Sequence, residues 1–351
     1  MPLVLFLDMD YFFAACEESR HPDLKSKPLV VGTATIARKE KGVVQTCNYE
    51  ARKFGIRSGM PTMQALRLDP DLVYLESDEN FYEQVSGKVM EMLKSYGFKT
   101  EVISIDEAAL DIGDISYPDA ETLAKSIKDK INKDMQLPCT IGICAGKTYA
   151  KIVCDSAKPN GIGILKEQEI KQFLKDKGIG SILGVGRSSE ARLRERGITT
   201  IGQLSKADPN VLIEMFGAFG RELFLLANGM DNSRVSGNYD AVLSIGRERT
   251  LESDTRDGAK IASMARKLSN EVILEVKKKG MWFKGISVKA RYSDFTERIK
   301  NRKISNYADS IEALEGIALP LLAEITSGRS VRKVGVRVYM LEKRTGQRAL
   351  V

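Results

Sequence analysis

The 351-residue chain is predicted to be an α+β multidomain protein in which two βαββαβ units flank a helical segment, and three features predict this. An apolar run, Val4 to Leu7, stands directly before Asp8 and Asp10, and a second, Val102 to Ile105, directly before Asp106 and Glu107. Residues 167–232 read as helices joined by glycine-bearing turns. Residues 244–341 then repeat the order strand, helix, strand, strand, helix, strand.

Val4, Leu5, Phe6 and Leu7 have the apolarity of a strand buried on both faces, and alternation along a strand sends Asp8 and Asp10 off on the same side. Such a pair also serves turns and helix caps; the reading as a site rests on the second pair, Asp106 and Glu107. If the two strands are neighbours, Asp8, Asp106 and Glu107 crowd together, and two carboxylates about 4 Å apart repel by roughly 4 kcal/mol at an effective dielectric near 20. The cluster therefore needs cations. Hard oxygen ligands without histidine or thiolate select Mg²⁺ or Mn²⁺ over zinc, and Mg²⁺ is usually held by one or two carboxylates plus substrate phosphates. That is the setting of two-metal phosphoryl transfer.

The remaining elements follow in order. Tyr11 to Arg20 is predicted helical, with its N-terminus toward the acids and ready to meet phosphate. Strands over 28–31 and 42–46 enclose a polar loop at 37–41. Asn48 opens a helix that stops near Gly55, on which Tyr49 and Arg52 share a face and can together grip a triphosphate. Ser58 to Pro61 introduces a helix over 62–68, and an amphipathic helix over 79–96 leads to the Asp106/Glu107 hairpin. A helix at 120–134 and a strand at 139–143 complete a ferredoxin-like βαββαβ unit, interrupted after its first strand by a small α/β piece at 11–76.

Gly142 to Thr148 resembles a phosphate loop but has one residue too few between its glycines. Lys151 lies on the following helix, which Lys158-Pro159-Asn160-Gly161 ends. Ile182 to Gly186, with Ala191 to Leu193 and Gly197-Ile198, has a helix-hairpin-helix pattern, in which Gly184 and Gly186 let backbone N–H groups approach a DNA phosphate; a plain αα-turn is the alternative. Phe216 to Gly220 is a weaker second copy, and the polar stretch 228–241 reads as a tether. In the last unit Arg247 and Arg249, Lys289 and Arg291, and Arg298, Lys300 and Arg302 alternate along their strands, which predicts one basic sheet face for phosphate contacts.

Composition agrees with a nucleic-acid partner. The net charge is +7, but residues 244–341 hold 20 Lys or Arg against 12 Asp or Glu, so the basic excess is C-terminal and the first 243 residues are slightly acidic. With 43% apolar residues there is ample core, and no stretch is long enough to cross a membrane. A soluble, cytoplasmic protein is expected, because the start leads directly into the first strand with no room for a signal or transit peptide, and it is expected to be a monomer. The five cysteines have an odd count and no metal-binding spacing, so they are read as reduced core residues.

Four motifs, Asp8-Met-Asp-Tyr-Phe-Phe13, Asn48-Tyr-Glu-Ala-Arg52 with Gly59-Met-Pro61 after it, Ser104-Ile-Asp-Glu107 and Lys158-Pro-Asn-Gly161, stand in the order and spacing of Y-family translesion DNA polymerases. The chain resembles the DinB-like, archaeal-type branch of that family from its first residue to about residue 340. The resemblance implies a right-hand polymerase: palm at 1–10 and 77–166, fingers at 11–76, thumb at 167–232, linker at 233–243, little finger at 244–341 and tail at 342–351. It implies template-directed synthesis past lesions, with low fidelity and no proofreading, on primer-template DNA with an incoming dNTP and two Mg²⁺ ions, for which Mn²⁺ can stand in.

The same resemblance assigns roles. Asp8 and Asp106 would bridge both metals, Glu107 would hold the one acting on the primer 3′-hydroxyl, and the Met9 carbonyl would complete the other. The backbone around Phe12 and Phe13 would hold phosphates, with Phe13 as the steric gate against ribose, and Lys158 would reach the triphosphate. Gly146-Lys147 departs from the family's Asn-Lys. Relatives often end in a clamp-binding peptide with paired aromatics; a sliding clamp stays open as a partner, though Gln347 to Val351 has no clear peptide of that kind. Two other readings remain open on sequence: a nucleotidyl cyclase-like palm enzyme, which needs no helix-hairpin-helix, and a non-catalytic DNA-binding protein, which leaves the acids unexplained. Primer extension separates the three.

Overall fold

In the computed structural model the described residues are 2–237 and 242–343. The chain begins with β1 (Leu3–Met9), α1 (Phe12–Arg20), β2 (Leu29–Gly32), β3 (Val44–Cys47), α2 (Tyr49–Lys53), α3 (Thr62–Leu68) and β4 (Val73–Glu76). It continues through α4 (Glu79–Ser95), β5 (Lys99–Val102), β6 (Glu107–Gly113), α5 (Tyr117–Met135), β7 (Cys139–Ala145), α6 (Lys147–Ala157) and β8 (Ile162–Ile164). Short helices follow: α7 (Ile170–Leu174), α8 (Arg187–Arg194), α9 (Ile201–Leu204), α10 (Pro209–Phe216) and α11 (Ala218–Ala227).

The five-stranded sheet has the order β5-β6-β1-β7-β8, with β1 central and antiparallel to β6 and β7. Every residue of β1 is buried, because the sheet is covered on both sides. Leu3, Leu5, Leu7 and Met9 pack into a core with Tyr82 and Val89 of α4 and Ile127 of α5, whereas Val4 and Phe6 pack with Tyr149 and Val153 of α6. Each such side chain contributes about 1.5–3 kcal/mol, so this strand is an anchor that the acids at its end inherit. Helix α6 lies unusually near β7: a Cβ on Gly142 would stand 2.2 Å from the Ala150 carbonyl oxygen.

The expected βαββαβ order is present, with three differences. Val102 to Ile105 do not form a strand leading into the acids; β5 ends at Val102, Asp106 sits in the turn, and Glu107 opens β6. The first sheet gains an extra parallel strand, β8 beside β7. The polar loop at 37–41 is largely a 3₁₀ helix, Ile36–Lys41. The piece inserted after β1 carries its own three-stranded sheet, β3-β2-β4, with a separate small core around Val30, Ile56 and Ala65.

The segment read as a tether is held down in its first part. Asp231 is buried and accepts the Thr148 N–H at 2.7 Å, Val235 is buried, and the Ser236 N–H donates to Glu101 at 2.6 Å. Sequence polarity suggested freedom here; instead the Asp231 side chain satisfies a backbone N–H in the first turn of α6, and the Ser236 backbone is tied to the Glu101 side chain. Gly146 has φ +110, and a Cβ there would meet Asp231 at 2.7 Å, which accounts for the departure at this position. The turn that resembled a phosphate loop thus holds a carboxylate of this chain. Residues 238–241 and the tail 344–351, including the expected absence of a clamp peptide, lie outside the described residues.

Residues Met1–Tyr239 form one compact unit and Asp240–Val351 another. The second comprises β9 (Ser244–Thr255), α12 (Gly258–Lys278), β10 (Met281–Tyr292), β11 (Glu297–Ala308), α13 (Ile311–Thr326) and β12 (Val331–Lys343). Its element order repeats that of the first unit, but its sheet runs β11-β10-β12-β9, a different spatial order. Both helices cover one sheet face, over Ile286, Val288, Val334 and Val336. Among the described residues no helix is long and apolar enough to cross a membrane, and all five cysteines are buried and free.

Candidate active site

The β1–β6 register sets Asp8 directly opposite Glu107. Between them lies the ammonium of Lys151 from α6, 2.8 Å from Asp8 Oδ2, 2.7 Å from Glu107 Oε1 and 2.9 Å from Asp155. Lys158, just past the end of α6, is 2.6 Å from the same Asp8 oxygen. Burial favours the neutral form of Asp8, but the two ammonium groups outweigh it and hold the carboxyl below its usual range. Burial wins at Glu107, which is raised despite Lys151. Lys151 itself is raised, because three carboxylates overcome its desolvation.

Asp106 is beside the pair without joining it. Its carbonyl accepts the Met9 N–H at 2.9 Å, while its carboxylate takes a hydrogen bond from the Ser104 hydroxyl. The expected crowding of three acids is therefore two acids bridged by a lysine, with the third held one turn residue away. Among the described residues no three acidic, histidine or cysteine side chains form a metal cage. The donor set nevertheless fits a hard divalent cation, since one or two carboxylates plus substrate phosphates is how Mg²⁺ is usually held, and this pair already draws a cation between its oxygens.

Around the acids stand the other predicted residues. Tyr11 takes a left-handed conformation and gives α1 no side-chain cap, so the first-turn N–H groups at Phe12 and Phe13 face outward from the helix end. Phe12 is core, and Phe13 is half-buried and stacked on Tyr82 at 4.5 Å with 14° between the rings. Arg52 lies over the Tyr49 ring at 4.8 Å, as their shared helical face predicted. Asn48 caps that helix through Ala51 N–H at 2.9 Å and pins Leu29 N–H at 3.0 Å, fixing α2 to β2. Gly184 has φ +91 and Gly186 caps α8 without a side chain, which leaves backbone donors at that hairpin.

The basic residues of the second unit do not share one face. In antiparallel pairs, residues in register point to the same side. Lys289 and Arg291 register with Gly335 and Lys333 on the face away from the helices, where Arg337 and Lys303 also lie. Arg298, Lys300 and Arg302 register instead with Ala290, Val288 and Ile286, and Arg247 and Arg249 with Val336 and Val334, all on the helix-covered side. They escape burial because β9 and β11 are the sheet edges, where Arg249 pairs with Glu271 and Lys300 with Glu324. Alternation fixes a face within a strand; the register between strands, which sequence does not show, decides whether two strands agree. The open face holds a shallow concavity of about 550 Å³ lined by Lys289, Asn301, Arg337 and Tyr339.

Sequence reasoning passed over Lys151 as a site residue and left Asp10 without a role. Lys151 had a signal, being seven residues, or two helical turns, before Lys158.

A mainly antiparallel sheet covered by helices on both faces, with acids at the end of its central strand, together with a helical hairpin module and a separate basic sheet, defines a nucleic-acid nucleotidyltransferase of the right-hand type. The impB/mucB/samB family profile matches residues 7–155, and the profile of that family's C-terminal domain matches residues 242–350. DNA polymerase IV of Methanoculleus marisnigri is 37% identical over 97% of this chain and 94% of its own, and that of Lactococcus lactis subsp. cremoris is 36% identical over 95% and 93%. Among solved structures, a Y-family polymerase chimera of Dbh and Dpo4 superimposes with TM-score 0.89 at 33% identity, covering 97% of this chain and 100% of that one. The insertion ternary complex of Dbh DNA polymerase gives 0.69 at 32% identity over 96% and 98%. The chain belongs to the Y-family DNA polymerases, in the DinB-like branch, and is a DNA-directed DNA polymerase. Dependence on a divalent metal goes with that family.

Proposed function

We propose that this polymerase extends a primer 3′-hydroxyl opposite damaged as well as intact template, with low fidelity and without proofreading. The observation that carries the reading is the cross-strand pair Asp8 and Glu107 with Lys151 and Lys158 converging on it, in a chain whose relatives are DNA polymerase IV. Asp8, Asp106, Glu107 and the Met9 carbonyl would hold two divalent ions, Mg²⁺ or Mn²⁺. When bound, such ions lower the pKa of the attacking hydroxyl and neutralise charge on the phosphoryl oxygens.

The protein's own groups do the rest. Tyr49, Arg52 and Lys158, with the N–H groups at Phe12 and Phe13, would bind and orient the triphosphate of the dNTP, and the Phe13 ring would exclude a 2′-hydroxyl by volume. The backbone at Gly184 and Gly186 would grip DNA phosphates, and the open basic sheet of residues 244–341 would hold the duplex. The domain limits palm 1–10 and 77–166, fingers 11–76, thumb 167–232 and little finger 244–341 belong to this reading. Primer extension with and without an abasic site tests it: the wild type should extend past the lesion in Mg²⁺, and Asp106→Ala should lose extension while keeping primer-template affinity. Extension by that variant within tenfold of wild type would overturn the assignment of the acids.

A further inference from the structure

Asp10 is the most buried acid of the site, at 1% exposure, and nothing in metal binding calls for it. Its carboxylate accepts the Thr140 hydroxyl at 3.0 and 2.9 Å and the Asn160 backbone N–H at 2.7 Å. It also faces the Tyr49 hydroxyl at 3.5 Å, long for a hydrogen bond and short enough to orient the ring. Those three donors come from three different places: β7, the turn after α6, and the first turn of α2. Burying a carboxylate beside a second one, Asp8, is costly unless its bonds hold something in place.

We propose that Asp10 is a positioning residue for the triphosphate, fastening the Lys158-Pro159-Asn160 turn and the Tyr49 side chain to the end of β1. Through Asn160 it fixes the turn that carries Lys158, and through Tyr49 the helix face that carries Arg52. The Tyr49 ring is held by a T-shaped contact with Tyr11, 5.2 Å between centroids, and by Arg52 over it at 4.8 Å, and Asp10 adds a constraint at its hydroxyl. Asn160 itself sits at φ +50, a conformation asparagine tolerates better than most residues, and its N–H bond to this carboxylate helps hold it there. The inference rests on the reading of Tyr49, Arg52 and Lys158 as triphosphate ligands.

The test compares Asp10→Ala, Asp10→Asn and Thr140→Val with Lys158→Ala in single-turnover extension, reading the dNTP dissociation constant and the preference for a dNTP over the matching dNDP. Asp10→Ala should weaken dNTP binding tenfold or more and narrow the dNTP/dNDP preference, as Lys158→Ala does, with primer-template affinity unchanged. Asp10→Asn should recover most of this, because the amide oxygen still accepts from Asn160. If Asp10→Ala does not fold, Thr140→Val, which deletes one donor at constant shape, should still weaken dNTP binding about threefold. Wild-type dNTP affinity and preference in Asp10→Ala, or in Thr140→Val where Asp10→Ala does not fold, with Lys158→Ala impaired, would overturn the role of Asp10 alone. Wild-type values in Lys158→Ala as well would instead overturn the triphosphate reading.

Discussion

Lys151→Met isolates the charge balance of the site. The substitution removes the ammonium from three carboxylates but leaves two of them paired, because Lys158 remains 2.6 Å from Asp8 and 3.2 Å from Asp155. Glu107 loses its ion-pair partner among the described residues. A half-buried carboxylate left without its cation takes up a proton, and from an ordinary glutamate value that costs at most about 3.7 kcal/mol at pH 7 and about 1.6 kcal/mol at pH 5.5. Burial already raises Glu107 in the wild type, and losing the ammonium raises it further in the variant, so the folded variant holds the extra proton over a wider range and its stability falls more steeply as pH rises above about 4.3. In the wild type the raised Lys151 keeps its contribution throughout this range and loses it only at alkaline pH. Thermal melts in chelator should therefore show a loss of up to roughly 7–14 °C in the first unit at pH 7, and about half that at pH 5.5. Saturating Mg²⁺ should stabilise the variant more than the wild type, since it takes the ammonium's place between the same oxygens. A loss equal at both pH values, or below about 1 kcal/mol at pH 7, would refute the charge argument.

Phe13→Ala should admit ribonucleotides about a hundredfold better relative to dNTPs, the usual limit for a pocket that rejects a hydroxyl by shape; an unchanged ratio of kcat/KM values would assign Phe13 to the core on which it stacks. Lys289→Gln with Arg337→Gln, on the open face, should lower the log-log salt slope of DNA binding by up to about 2, whereas Arg298→Gln with Arg302→Gln should leave it nearly unchanged. Equal drops would place the DNA along the sheet edges. Asp231→Ala should destabilise the first unit by about 1 kcal/mol through loss of the α6 cap and speed proteolysis at residues 231–237, and equal cleavage rates would mean the docking is incidental.

The order of the elements, the buried first strand and the acids at its end are legible in the sequence. These are local properties: apolar runs, period and turn residues act within a few positions, and Asp8 follows Leu7 whatever the rest of the chain does. The sequence also shows that Tyr49 and Arg52 share a face, because residues three apart on a helix always do. The rest depends on partners distant along the chain. Strand register put Glu107 rather than Asp106 opposite Asp8, and α6, crossing near the sheet at Gly142, brought Lys151 between them. The same kind of register put Arg298, Lys300 and Arg302 on the opposite face from Lys289 and Arg291, since a shift of one residue between neighbouring strands reverses every side chain. The sheet order β11-β10-β12-β9 likewise arises from which strand edges meet, a choice made by the packing of α12 and α13 on one face and written in no single segment.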